Sequence, residues 1–219
     1  MSTLVELAAR AESQPSPPGS GPYSYIHTRG WYLATEQTTD GRVLDSRVEE
    51  AEREFWVAAD GSGRIEETHG GRSSRMSGVY GPGGLSPGPF PEPAGPAPAP
   101  FPRLGGSPLI KQIQSVWRVQ TVRPALQAAL LRSLANLPGL RLEETTDRAG
   151  RPGLAVSTDD RAGSGWSGRH VLVLDPATGM VLAAEEITLR GGGVTHPPGA
   201  SAYTYWVRTG YAPDTDARP

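Results

Sequence analysis

Val171-Leu172-Val173-Leu174-Asp175-Pro176-Ala177-Thr178-Gly179 is the stretch that decides the fold. Four apolar residues in a row leave a strand no polar face, so His170 to Leu174 is expected to be buried on both sides, central in a sheet and under helices. Asp175 suits the first position of a type I turn, Pro176 the second, and Gly179 a left-handed conformation that ends the reversal. Met180 to Arg190 then returns as the second arm of a long antiparallel hairpin.

The same pattern extends on both sides. Leu140 to Thr146 and Leu154 to Thr158, joined by a turn at Asp147 to Gly150, read as an earlier hairpin, and a glycine-rich corner from Ala162 to Gly168 follows them. Downstream, Ala202 to Thr209 reads as a last strand with Tyr203, Tyr205 and Val207 on one face and Trp206 on the other. Upstream lie two helices. Ser107-Pro108 offers an N-cap and a first-turn proline for a helix over 108–120, with Leu109, Ile113, Val116 and Trp117 at helical spacing. Pro124 opens the second, 124–137, whose stripe of Leu126, Ala129, Leu130, Leu134 and Leu137 is stopped by Pro138-Gly139.

The N-terminal third repeats the strand theme. Thr3 and Glu6 form a capping box for a short helix, ended by the Pro/Gly/Ser cluster from Ser13 to Pro22. From Tyr23 a strand places Tyr23, Tyr25, His27, Arg29, Trp31 and Leu33 on one face and Ser24, Ile26, Thr28, Gly30 and Tyr32 on the other. Turn signals at Asp40-Gly41 and Asp60-Gly61-Ser62-Gly63 divide this segment into three antiparallel strands, with Ser46 to Ala59 and Arg64 to Met76 as the second and third. Arg47 to Glu54 is polar except for Val48 and Ala51, so much of the outer face of this meander is expected to be wet.

Strands, then two helices, then strands imply an α+β fold. The sequence predicts a strongly curved antiparallel sheet, a half-barrel, with helices on its concave face and one domain over 1–219. Residues 77–106 form a Pro/Gly-rich stretch with three open readings: a linker, a disordered excursion, or a flap carrying Tyr80, Phe90 and Phe101 across an apolar opening. Residues 212–219 read as a polar tail.

Composition narrows function by exclusion. A formal charge of -2, from 21 Lys and Arg against 23 Asp and Glu, gives no electrostatic footprint for nucleic acid. Zero cysteines remove disulfides, thiolate metal sites and thiol nucleophiles. No apolar run approaches the roughly 20 residues that cross a bilayer. A mean hydropathy of -0.39 with 37% hydrophobic residues suits a soluble globular chain. The 28 glycines and 22 prolines gather in a few connections.

No constellation reaches the standard of a catalytic motif. Gly163-Ser164-Gly165-Trp166-Ser167-Gly168 matches the dinucleotide fingerprint in letters, but a strand follows it where the pyrophosphate needs a helix N-terminus. The acid pairs Glu49-Glu50, Glu66-Glu67, Glu143-Glu144, Asp159-Asp160 and Glu185-Glu186 point to opposite faces of their strands, with Glu185 a candidate for a cavity rim. His27, His69, His170 and His196 lack metal-ligand spacing. A non-enzyme without cofactor or metal is expected. The aromatic strands admit two readings, ordinary core packing or the walls of an apolar pocket left by helices that incompletely fill the sheet. The candidates for that pocket are Tyr25, Trp31, Trp56, Trp117, Leu130, Leu134, Tyr203 and Tyr205.

Several of these segments together carry a resemblance. Tyr23 to Trp31, Glu54-Phe55-Trp56, Pro124-Ala125-Leu126-Gln127-Ala128-Ala129-Leu130, Leu134 to Gly139, Asp147 to Gly153 and Leu174 to Gly179 resemble an actinobacterial family of membrane-anchored proteins, over most of the chain. Its members carry one membrane span before an extracytoplasmic domain of this pattern, and that span is not in this sequence. In strand and helix order the domain resembles the LolA, LppX and RseB-like superfamily of lipoprotein carriers and envelope-stress sensors. That resemblance implies a LolA-like half-barrel, an extracytoplasmic location, and a lipid or lipoprotein acyl chain as ligand. The alternative is a filled core and an envelope or regulatory protein as partner.

Overall fold

The computed structural model describes residues 3–39, 43–85, 106–161, 167–190 and 199–219. The capping box is present: the Thr3 side chain accepts the Glu6 N–H at 3.2 Å and the Glu6 carboxylate accepts the Thr3 N–H at 2.9 Å. It starts α1 (Leu4–Glu12), whose buried side chains Leu4, Leu7, Ala8 and Ala11 pack mainly on α3 (Pro124–Ala135). The helical layer thus has three members with α2 (Gly106–Val119), where the sequence reading had put two on the sheet. Helix α2 begins at Gly106, so Ser107 is helical and does not cap from outside. Among the described residues no helix is long and apolar enough to cross a membrane.

The strands are β1 (Tyr23–Gln37), β2 (Val43–Val57), β3 (Gly63–His69), β4 (Arg72–Ser73), β5 (Gly78–Tyr80), β6 (Arg141–Thr146), β7 (Pro152–Arg161), β8 (Ser167–Leu174), β9 (Val181–Arg190) and β10 (Gly199–Ala212). They form one sheet in the order β4-β3-β2-β1-β10-β9-β8-β7-β6, with β5 also on β3, and every pairing between them is antiparallel. Two meanders meet where β10 returns to β1, and the sheet stays open at its two ends. It is the open, curved α+β half-barrel with helices on the concave face that the element order implied.

Two expected boundaries move for local reasons. The third strand does not run unbroken to Met76, because Gly70 (φ 53°) and Gly71 (φ 75°) turn the chain and split it into β3 and β4. Gly78 to Tyr80, the start of the expected loop, adds a short strand to β3. The predicted Asp175 turn forms with its intended chemistry. The Asp175 carboxylate accepts the Ala177 N–H and the Thr178 hydroxyl at 2.8 and 2.9 Å, and Gly179 takes φ 71°.

Strand alternation sorts the core into two faces. Leu172 and Leu174 join the helix-side core with Ile26, Phe55, Val57 and Trp206, while Val171 and Val173 pack on the other face with Ala183 and Tyr203. Strand β8 is therefore buried on both sides, as its unbroken apolar run requires. Leu130 and Leu134 are 0% exposed, and each such side chain contributes roughly 1.5–3 kcal/mol by burial. Polar pins fix the helices to the sheet. Gln127, itself fully buried, accepts from the Trp117 indole at 2.9 Å and donates to the Gly179 carbonyl at 2.8 Å. Thr121, between α2 and α3, donates to the Gly210 carbonyl at 2.5 Å.

Candidate functional site

The face turned away from the helices, here the outer face, carries the polar and aromatic chemistry. On β1 the residues Tyr25, His27, Arg29 and Trp31 point to it, and the register sets them against Trp56, Glu54, Glu52 and Glu50 of β2. On β3, Arg64, Glu66 and Thr68 stand opposite Trp56, Glu54 and Glu52. Period-two alternation thus lines up Glu50, Glu52 and Glu54 as a ladder of carboxylates, with Glu66 beside its last member. On the far side of β1, Tyr203 and Tyr205 of β10 face Trp31 and Arg29.

Cations from the chain itself hold most of this ladder. Glu52 lies 2.7 Å from His27 Nε2 and 2.8 Å from Arg29 Nε. Burial pushes its carboxyl upward, but the Arg29 and His27 bonds outweigh this and hold it below the usual range. Glu54 accepts from the Tyr25 hydroxyl at 2.9 Å and from Arg218 at 2.5 Å, and its carboxyl is also held low against the opposing effect of burial. Burial and the adjacent Glu54 together raise the Tyr25 phenol well above its ordinary value. Glu50 is exposed and has no ion-pair partner among the described residues.

Two basins lie along the ladder. One, of about 510 Å³, is lined by Trp31, Glu50, Glu52, Arg148, Tyr203 and Tyr205 among others. The second, of about 690 Å³, is lined by Glu54, Arg64, Glu66 and the β5 strand, and shares Glu52 and Thr68 with the first. The two basins adjoin at these shared residues, along the ladder.

Guanidinium groups on aromatic rings recur along it. The Asp147–Arg151 turn, expected only to close a hairpin, folds over this face. Arg148 lies 5.3 Å from the Trp31 ring centre and 5.6 Å from that of Tyr203, and pairs with Glu185. Arg151 stands 5.7 Å from the Tyr205 ring and donates to the Trp206 and Leu182 carbonyls. The Arg148 N–H donates to the Tyr203 hydroxyl at 3.1 Å, and burial, then the Asp147 charge, pushes the Tyr203 phenol up to about 12. Arg218 and Arg64 lie 5.3 and 5.7 Å from the Trp56 ring, which itself packs 5.1 Å from Tyr25.

The helix-side face differs. Trp117 is 2% exposed, Leu130 and Leu134 are 0%, and Trp117 meets Trp206 edge to face at 5.8 Å. A basin of about 200 Å³ lies on this face beside the end of α2, with Arg53, Glu67, His69 and Arg118 in its lining. Burial lowers the Arg53 guanidinium to about 10. His170, buried beneath α2, has no hydrogen bond at either ring nitrogen among the described residues, with Asp160 and Glu186 each 3.9 Å away. Among the described residues no three His, Asp or Glu side chains are grouped to hold a metal ion.

The eight pocket candidates therefore do not meet in one cavity. Trp31, Tyr203 and Tyr205 share the outer basin, Tyr25 and Trp56 lie farther along the same face, and Trp117, Leu130 and Leu134 are packed into protein on the opposite face. The flap candidate Tyr80 sits on β5 against the main core and donates to the Met76 carbonyl at 2.6 Å. Phe90, Phe101 and most of the glycine-rich corner lie outside the described residues. Glu185, the cavity-rim candidate, lines neither basin but bonds Arg148, which lines the first. Residues missed by sequence reasoning are Glu50, Glu52, Glu54, Arg148 and Arg218. The alternating glutamates were the available signal.

No protein-family model and no curated protein sequence matches the chain. Among solved structures it is similar to a crystal structure of MucB in complex with MucA(peri), at 15% identity and a TM-score of 0.32, covering 97% of this chain and 57% of that one. A crystal structure of MucB gives 16% identity, a TM-score of 0.29, and coverage of 99% and 58%. A complex of Pseudomonas aeruginosa MucA and MucB gives 17%, 0.29, and 97% and 58%. The chain spans a little over half the length of these proteins.

Proposed function

We propose that this chain is a non-enzymatic binding module that takes a cationic polypeptide segment of a partner protein along its outer-face groove. The observation that carries this reading is the pairing of Trp31 with Glu50 across β1 and β2. An aromatic ring that Arg148 already stacks on stands beside an exposed carboxylate with no cation on it among the described residues, in an open basin. An arginine laid there gains the Glu50 carboxylate beside aromatic side chains, and guanidinium–ring contacts of the kind already present contribute about 0.5–2 kcal/mol. The chain's own arginines already use such seats at Trp31, Tyr205 and Trp56. The helix-side positions expected to hold lipid are occupied by packed side chains, which favours a protein partner over an acyl chain. An extracytoplasmic site of action follows from the sequence resemblance alone.

The test is titration with a fluorescent peptide of alternating glycine and arginine, and with the same peptide carrying glutamine for arginine. The arginine peptide is expected to bind and to weaken as salt rises, while Glu50→Gln or Trp31→Ala lowers affinity by about tenfold each. Equal binding of the two peptides would contradict the reading, as would its indifference to both substitutions.

A further inference from the structure

The segment that follows β10, read from sequence as a polar tail, is built into the outer face. Asp214 accepts the backbone N–H groups of Asp216 and Ala217 at 2.9 and 2.8 Å, which bends the chain back over Trp56. The Trp56 indole donates to the Ala217 carbonyl at 2.8 Å, Arg218 bonds Glu54, and Asp216 bonds Arg64 at 2.5 Å. Arg208 holds the Pro219 carbonyl at 3.0 Å.

Two features of this strap bear on how it acts. Its seat favours a cation at Glu54: Glu54 and Glu66 stand directly opposite each other across β2 and β3, Glu66 is already paired with Arg64 of β3, and Arg218 lies 2.5 Å from Glu54 and 3.6 Å from Glu66. Its ionic contacts are exposed and so individually weak, Asp216 at 84% and Arg218 at 45%, while Ala217 meets the aromatic pair and Pro219 packs on Gly19 and Gly210. The same Glu54, Arg64 and Glu66 line the larger basin of the groove.

We infer that residues 214–219 are a built-in competitor, and that an arginine-bearing partner segment docks by displacing Arg218 from the Glu54–Trp56 seat. The inference rests on the groove being a site for cationic peptide, and it adds where that peptide is gated. A guanidinium for a guanidinium keeps Glu54 paired throughout the exchange, beside a Glu66 that Arg64 already holds. The strap thereby sets a threshold that only a longer or more cationic segment, reaching on to Glu50 and Trp31, overcomes.

The experiment uses the full chain, its Asp216→Asn/Arg218→Gln double variant and, as a second way to loosen the strap without touching the seat, Asp214→Ala. Each is titrated with the glycine–arginine peptide while amide signals of 214–218 are followed by NMR. Both variants are expected to bind about tenfold more tightly than the parent, and saturating peptide is expected to move the parent's 214–218 signals to positions of released chain. Unchanged affinity in both variants with unmoved strap signals would overturn the inference and leave the groove reading intact. Absence of binding to all three proteins would overturn both.

Discussion

The indole of Trp206 on β10 donates to the carbonyl oxygen of Trp117 in the last turn of α2 at 2.8 Å. Carbonyls in a last turn have no helical partner, so a sheet residue terminates this helix and ties it to the strand that closes the two meanders. Replacing Trp206 by Phe keeps a ring for the edge-to-face contact but leaves a buried carbonyl unpaired. The expected loss is about 1–3 kcal/mol, read as a lower urea midpoint with the slope unchanged.

Gln127 joins the Trp117 indole to the Gly179 carbonyl while being fully buried. Gln127→Leu retains bulk and removes both bonds, leaving a donor and an acceptor orphaned. It is expected to cost about 2–4 kcal/mol, measured by denaturation. A neutral result would mean that water replaces the amide.

His170 gives a pH dependence whose sign follows from its surroundings. Burial, and then the charge of Lys111, lowers its pKa, against the opposing pull of Glu186 and Asp160. The folded state therefore favours neutral imidazole. Above the ordinary histidine value of about 6.5 both states are neutral and the group contributes nothing; as pH falls below it the unfolded chain takes up the proton first and the fold loses stability. His170→Gln is expected to flatten the fall in urea midpoint between about pH 7.5 and about pH 5.5 relative to the parent. An equally steep fall in the variant would place the effect elsewhere.

Asp147 organises the turn that carries Arg148 onto Trp31. Its carboxylate, 0% exposed, accepts the Ala149 and Arg151 N–H groups at 2.9 Å and the Arg151 guanidinium at 2.8 Å. Because Arg151 is one-third exposed, Asp147→Ala is expected to cost about 2–3 kcal/mol, below the range for a fully buried pair. It is also expected to reduce peptide affinity by altering the Trp31 basin. Stability and affinity are read separately, by denaturation and by titration.

The sequence held the elements more plainly than their facing. The capping box, the Pro124 helix, the Asp175 turn and the double burial of β8 each depend on neighbours in the chain, and all were legible. The phase of β1 was not, because Tyr25 and Trp31 on one face look as core-like as Ile26 and Tyr32 on the other. Its partner resolves the ambiguity: Phe55 and Val57 fall on the helix side and Glu50, Glu52 and Glu54 on the outer side. A register between strands, which composition does not supply, was needed to see it. Arg148, Arg151 and Arg218 act through bonds to residues 31 to 164 positions away, and nothing local marks them.

Chemical-shift mapping of the two faces with two ligands tests the central claim most directly. With the glycine–arginine peptide, the Trp31 indole and the amides of Glu50, Glu52 and Tyr203 are expected to shift in a saturable manner, while Trp117, Leu130 and Leu134 stay in place and a single-chain lipid moves neither set. Saturable shifts of Trp117, Leu130 and Leu134 with the lipid, and none at Trp31 with the peptide, would contradict the account.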